Sequence, residues 1–83
     1  MKGDGTPPTL AERMHSELPA EYVDEYEDEV AAGEPQLALE ILLDQIIDDD
    51  IPLTRELADA LQALARELLI TRKAVAYLDK LVQ

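Results

Sequence analysis

Few residues in this chain are of types that carry out catalysis or bind metals. The chain has one histidine, His15, and no cysteine, so disulfides and thiolate metal sites are excluded. His15 lies in no nucleophile motif, which favours an ordinary surface histidine. The triplet Asp48-Asp49-Asp50 lacks the alternating acids, the glycine and the final glutamate of a calcium-binding loop. We therefore expect no catalytic residue, no metal site and no cofactor, and a solvated acidic turn at 48–50.

Acidic side chains are the one concentrated chemical feature. The chain contains 19 Asp and Glu against 7 Lys and Arg, for a net charge of −12. Most of the acids lie between Met14 and Thr54, a stretch with no lysine or arginine. Such a field repels nucleic acid and anionic membranes and attracts basic proteins. The pattern therefore favours a protein partner; a merely solubilising surface is the alternative.

The acids recur four residues apart on two predicted helices. Like charges at this spacing repel each other by a few tenths of a kcal/mol per pair. Local rules are most often broken where function requires it. These stripes therefore indicate a binding surface. They consist of Glu21/Glu25 and Asp24/Asp28 on the second helix and of Glu40/Asp44/Asp48 on the third.

Leu37 and Ile41 lie beside the acidic stripe of the third helix, outside its main apolar face. Apolar residues next to concentrated charge resemble the centre of an interface with its charged rim. Alternatively they pack under the second helix or the 48–53 turn. Tyr22 has the same two interpretations, contact residue or inward-packed ring with a hydrated hydroxyl. The candidate partner-binding residues are Glu21, Tyr22, Asp24, Glu25, Asp28, Leu37, Glu40, Ile41, Asp44, Asp48, Asp49 and Asp50.

The elements that position these residues are predicted to be helices. The chain has 83 residues, no Phe or Trp and three Tyr, so its core must be built from Leu, Ile, Val and Ala, which suits helices. We predict an all-α fold, a small bundle of four or five short helices. Residues 1–8, with two glycines and two prolines, are expected to be a flexible tail, and 9–83 a single domain.

Capping residues predict where the helices begin and end. Thr9 and Glu12 form a capping box before the first helix. The second helix is expected over 20–32, with Gly33 in the left-handed position after it. Pro35 suits the first position of the third helix, whose apolar face places it at the centre of the bundle. That face consists of Leu39, Leu42, Leu43, Ile46 and Ile47.

The fourth helix is predicted to be capped by Thr54 and the fifth by Thr71. No Gly or Pro separates the two, so a single kinked helix is the alternative. A narrow leucine stripe at coiled-coil spacing marks the fourth helix. It consists of Leu57, Leu61, Leu64 and Leu68. In the last segment Ala74, Val75, Leu78, Leu81 and Val82 are expected to face inward.

The chain has no apolar run approaching the ~20 residues of a membrane span. Its first residues, MKGDGTPPTL, lack the apolar region of a signal peptide. We therefore expect a cytoplasmic protein that contacts neither membrane nor nucleic acid.

The stretch from Gly33 to Thr54, GEPQLALEILLDQIIDDDIPLT, resembles the MafI-family immunity proteins of bacterial polymorphic toxin systems. The shared pattern is a Gly-Glu entry, an Ala-Leu-Glu helix, an acidic turn and Ile-Pro-Leu before the next helix. The resemblance implies a small helical protein that binds and neutralises a cognate toxin, often a nuclease or other basic effector, inside the producing cell. It assigns no contact residue. The chain departs from the pattern at 69–72, where a glycine-containing turn is expected.

A second hypothesis is a helical dimerisation or adaptor module with no inhibitory role. In that case the leucine stripe of the fourth helix would pair between two chains. The free protein is thus expected to be a monomer or a homodimer.

Overall fold

The computed structural model describes residues 9–70 and 73–83. Within them the chain forms five α-helices and a final 3₁₀ turn, which confirms the predicted all-α bundle. The tail expected at 1–8 and the cap expected at Thr71 lie outside the described residues. The elements are α1 (Leu10–Glu17), α2 (Ala20–Ala31), α3 (Pro35–Asp48), α4 (Arg55–Glu67), α5 (Lys73–Tyr77) and the 3₁₀ turn Leu78–Leu81.

Helix α3 lies at the centre of the bundle, as its apolar face predicts. Leu39, Leu43 and Ile46 have no exposed surface, and Leu42 has almost none. Ile47 lies at the edge of the core and packs against it. Fully burying one such aliphatic side chain stabilises the fold by about 1.5–3 kcal/mol. This helix therefore contributes the largest apolar share of the core, and its opposite face is left for the solvent.

The remaining core comes from single faces of the other helices. Leu57 and Leu61 of α4 are fully buried, while Leu64 and Leu68 are partly buried against the same core. The leucine stripe of α4 is thus used within the chain, and Leu57 and Leu61 could pair with a second chain only if the fold opened. The other buried side chains include Met14, Leu18, Val23, Leu53, Leu78 and Leu81.

Two threonines begin helices as predicted. The Thr9 hydroxyl accepts from the Glu12 amide at 3.2 Å, and the Glu12 carboxylate accepts from the Thr9 amide at 2.9 Å. This reciprocal pair is the capping box at the start of α1. The Thr54 hydroxyl accepts from the Leu57 amide and also donates to the Glu17 carboxylate at 2.7 Å. Thr54 therefore both starts α4 and links it to the end of α1.

Helices α2, α3 and α4 end in the same way, in a Schellman motif with a left-handed residue just past the cap. The left-handed residues are Gly33 (φ 85°), Asp50 (φ 51°) and Leu69 (φ 60°). After α4 the Leu69 amide donates to Arg66 at 3.1 Å and the Ile70 amide to Ala65 at 2.8 Å. Helices α4 and α5 are therefore separate, and Leu69 occupies the position where glycine was expected.

The end of the chain is held by the segment between α3 and α4, a contact that the sequence pattern does not predict. The Leu53 amide donates to the Leu81 carbonyl at 2.9 Å, and the Gln83 amide donates to the Leu53 carbonyl at 3.1 Å. Beside this bridge Arg55 contacts Asp79 at 3.0 Å and Asp59 at 3.1 Å. The Arg55 guanidinium, with help from Gln62, holds the pKa of the Asp79 carboxyl below its usual value.

Among the described residues, no helix combines the length and the apolar character that crossing a bilayer requires.

Candidate protein-binding surface

Helices α2 and α3 form a hairpin that carries most of the acids. Gly33 makes the reversal possible, because its positive φ lets the chain turn back within the three residues between α2 and α3. Across the hairpin, the Gln45 amide group donates to the Glu25 carboxylate at 2.9 Å. This bond joins one acid of α2, Glu25, to the α3 residue that follows Asp44. The two acid-bearing helices therefore pack side by side.

Most candidate acids reach solvent. One carboxylate, Glu40, is only partly exposed. At 100° per residue, Asp44 and Asp48 lie on the side of α3 opposite its buried leucines. The hairpin therefore presents carboxylates from both helices and from the turn that follows α3. The exposed acids are Glu21, Asp24, Glu25 and Asp28 on α2, Asp44 and Asp48 on α3, and Asp49 and Asp50 after it.

Several ion pairs of the described residues use acids outside the two acidic stripes of α2. Arg13 is 3.9 Å from Glu17, His15 is 3.0 Å from Glu27, and Arg55 pairs with Asp59 and Asp79. None of these pairs uses Glu21, Asp24, Glu25 or Asp28. Since carboxylates are strong acceptors for guanidinium and ammonium groups, the hairpin surface has the chemistry to receive arginine and lysine side chains from another protein.

The apolar candidates divide into two kinds. Leu37 is 43% exposed. Ile41 is partly exposed, and neither it nor Leu37 is among the described side chains that pack against the core. Tyr22 does pack against the core while remaining partly exposed. Leu37 and Ile41, four residues apart on one face of α3, thus form a short apolar strip beside the acids, whereas the Tyr22 ring faces inward.

Three features of this region are not visible in the sequence pattern. The sequence pattern does not mark Gln45 as important, although its bond to Glu25 joins α2 and α3. His15 lies at the surface, as expected, but its ring nitrogen contacts the Glu27 carboxylate and ties α1 to α2. Leu69 is 82% exposed. The run Leu68-Leu69-Ile70 could have signalled this, because three consecutive residues cannot all face one core.

Residues 9–70 and 73–83 hold no cluster of potential metal ligands and no buried polar side chain without a partner. No group of three or more His, Cys, Asp or Glu side chains there converges as metal ligands would. Every buried side-chain nitrogen or oxygen in these ranges has a hydrogen-bond partner. Burial raises the pKa of the Tyr26 hydroxyl, and the Glu27 carboxylate adds to that rise. This hydroxyl therefore stays protonated throughout the neutral pH range.

Comparisons of the chain with protein-family models, with curated proteins and with solved structures gave no match. The relation to immunity proteins accordingly stays a resemblance carried by residues 33–54.

Proposed function

We propose that this protein is an immunity protein that binds a cognate bacterial toxin in the cytoplasm and neutralises it through the α2–α3 surface. One observation carries the proposal. Exposed carboxylates lie on both α2 and α3, two helices that the Glu25–Gln45 bond joins, and those of α3 share its outer face with the apolar strip of Leu37 and Ile41. The resemblance of residues 33–54 to the MafI family supports the same function.

The mechanism follows from charge. A toxin that cleaves nucleic acid needs a basic surface to hold the phosphate backbone. A row of carboxylates mimics that backbone, so the inhibitor occupies the surface that the substrate requires. The field of a protein with a net charge of −12 also steers a basic partner, which raises association rates by roughly 10–10³-fold at low salt. The strip of Leu37 and Ile41 supplies apolar contact within the charged rim.

The proposal is tested with the product of the neighbouring gene, purified as its C-terminal domain. We expect a 1:1 complex whose association rate falls as salt is raised. The double variant Asp24→Asn/Asp28→Asn should associate about 3–30-fold more slowly at low salt, because charges at an interface act mainly on the association rate. Glu56→Gln on α4 is the matched control, since Glu56 is an exposed acid outside the hairpin. A complex with no salt dependence, or equal effects of both changes, contradicts charge mimicry.

A further inference from the structure

Leu69 combines exposure with an unfavourable backbone conformation. It is the most exposed large apolar side chain in the described ranges, at 82%. Its φ of 60° belongs to the left-handed region, which glycine enters without strain and leucine does not. The apolar contact that usually accompanies such a helix end is made by the next residue, the buried Ile70. Neither packing nor backbone preference therefore accounts for a leucine here.

Leu69 lies at the edge of a cleft of about 300 Å³ between the start of α3 and the end of α4. Pro35, Leu68 and Leu69 contribute apolar walls, and Glu34 and Glu67 contribute carboxylates. The two walls are fixed relative to each other, because the Gln36 amide group donates to the Leu68 carbonyl at 2.6 Å. The cleft is thus a formed depression with apolar and anionic sides.

The charge of the cleft selects a cation. Among the described residues, neither Glu34 nor Glu67 has an ion-pair partner and no lysine or arginine lines the cleft. The end of α4 adds the negative pole of its dipole, whereas the start of α3 adds about +0.5 of a charge. Two full negative charges outweigh that half charge. An aliphatic stem ending in a cation matches this combination of walls.

We propose that this cleft receives an arginine or lysine side chain of a protein partner, with its stem against Leu69 and its charged end between Glu34 and Glu67. Leu37, one residue after Gln36, connects the cleft to the strip on α3. This site rests on the proposed function, because it extends the surface that the toxin would contact from the α2–α3 hairpin to the end of α4. Its chemistry can nevertheless be tested without a toxin.

The probe is N-acetyl-argininamide, titrated into the ¹⁵N-labelled protein at low salt and followed by amide chemical shifts. N-acetyl-citrullinamide, which has the same shape without the charge, is the control ligand. We expect shifts concentrated at residues 33–37 and 67–70 with the arginine compound and none with the citrulline compound. Glu67→Gln should weaken the affinity about two- to fivefold, as for an exposed ion pair.

Leu69→Gly removes the side chain while keeping the left-handed backbone, and should weaken the affinity roughly fourfold through lost contact with the stem. Tyr77→Ala removes another exposed large apolar side chain, one that does not line the cleft, and should leave the affinity unchanged. Shifts spread evenly over the acidic hairpin, equal shifts with citrulline, or unchanged affinity in Leu69→Gly would each overturn the proposal.

The two proposals fail separately. If argininamide binds the cleft while the neighbouring gene product does not bind the protein, the immunity function is wrong and the basic-side-chain site stands. If the gene product binds and is weakened by hairpin changes but argininamide spreads over the surface, the cleft proposal is wrong and the immunity function stands.

Discussion

Substitution of Gly33 by alanine measures how much one left-handed backbone position contributes to the stability of this fold. Gly33 ends α2 with a φ of 85°. A Cβ built at this position meets no atom within 4 Å, so alanine creates no clash with its surroundings. The change therefore acts through backbone conformation alone. Gly33→Ala should lower the free energy of unfolding by the cost of holding an L-residue in the left-handed region. The smaller conformational entropy of the unfolded alanine chain offsets part of this loss.

The two contributions oppose each other and have known sizes. Holding a non-glycine residue in the left-handed region costs roughly 1–2 kcal/mol. Replacing glycine restricts the unfolded chain and returns about 0.4–1 kcal/mol. We expect Gly33→Ala to lower the free energy of unfolding by about 0.5–1 kcal/mol. That is at most about a fifth of the ~5–15 kcal/mol that stabilises a typical domain.

The reverse change at the same motif position is Leu69→Gly. It relieves the strain at φ 60° but loses the same unfolded-state entropy and the little burial that an 82% exposed leucine has. The relief of backbone strain nearly cancels the lost entropy advantage and the lost burial, which leaves a net stabilisation of up to about 0.5 kcal/mol. Leu69→Gly should thus be neutral or stabilising, whereas Gly33→Ala destabilises.

Both variants are measured by urea unfolding followed by circular dichroism at 222 nm, with the slope of the transition required to stay constant. A midpoint of Gly33→Ala equal to that of the parent protein would refute the left-handed assignment of Gly33. A loss of more than about 1 kcal/mol in Leu69→Gly would show that the Leu69 side chain is buried by the fold and is not free for a partner.

Three further predictions concern the core, the C-terminal contact and the acidic hairpin. Leu42→Ala should lower the free energy of unfolding, measured by urea, by about 2–5 kcal/mol, because it opens a cavity in the core beneath α3. The pKa of the Asp79 carboxyl is lower in the folded protein than its ordinary 3.8. The ion pair of Asp79 with Arg55 therefore stabilises the fold above pH 3.8, and this stabilisation is lost as the pH falls through the folded pKa. The urea midpoint of Asp79→Asn should depend less on pH below about 5 than that of the parent protein. Asp24→Asn/Asp28→Asn should raise the melting temperature slightly, because one repulsive pair worth a few tenths of a kcal/mol disappears; an unchanged or lower melting temperature in differential scanning calorimetry would count against that repulsion.

Much of the fold follows from local signals in the sequence. Thr9 and Thr54 are predicted as caps because a hydroxyl before an apolar period satisfies free amides at a helix start. Gly33 is predicted at the end of α2 because its backbone preference is unique. The burial of Leu39, Leu43 and Ile46 follows from helical periodicity. Each of these predictions depends on residues within one or two helical turns, where sequence distance and spatial distance agree.

The remaining features depend on contacts between distant residues. The bond from Gln45 to Glu25 and the bridge from Leu53 to Val82 join segments that no period relates. The sequence leaves the end of α4 ambiguous, because the residue that normally marks such a helix end is glycine. Here Leu69 is held in the left-handed conformation by the hydrogen bonds of the Schellman motif and by the burial of Ile70. In that position tertiary packing overrides backbone preference, which a local pattern cannot reveal.

The sites where local rules fail lie on α2, on the outer face of α3 and at the end of α4. Repelling acids occupy α2 and α3, an exposed leucine and a partly exposed isoleucine lie on α3, and a strained, exposed leucine follows α4 beside the start of α3. Each feature alone costs stability and has a trivial explanation, such as solubility or chance. A solubilising surface explains the acids but not the exposed leucines, and chance explains one exposed leucine but not its place in a cleft that two carboxylates also line. A partner with basic side chains and an apolar contact accounts for all three, because it relieves the repulsion and covers the leucines in the same complex.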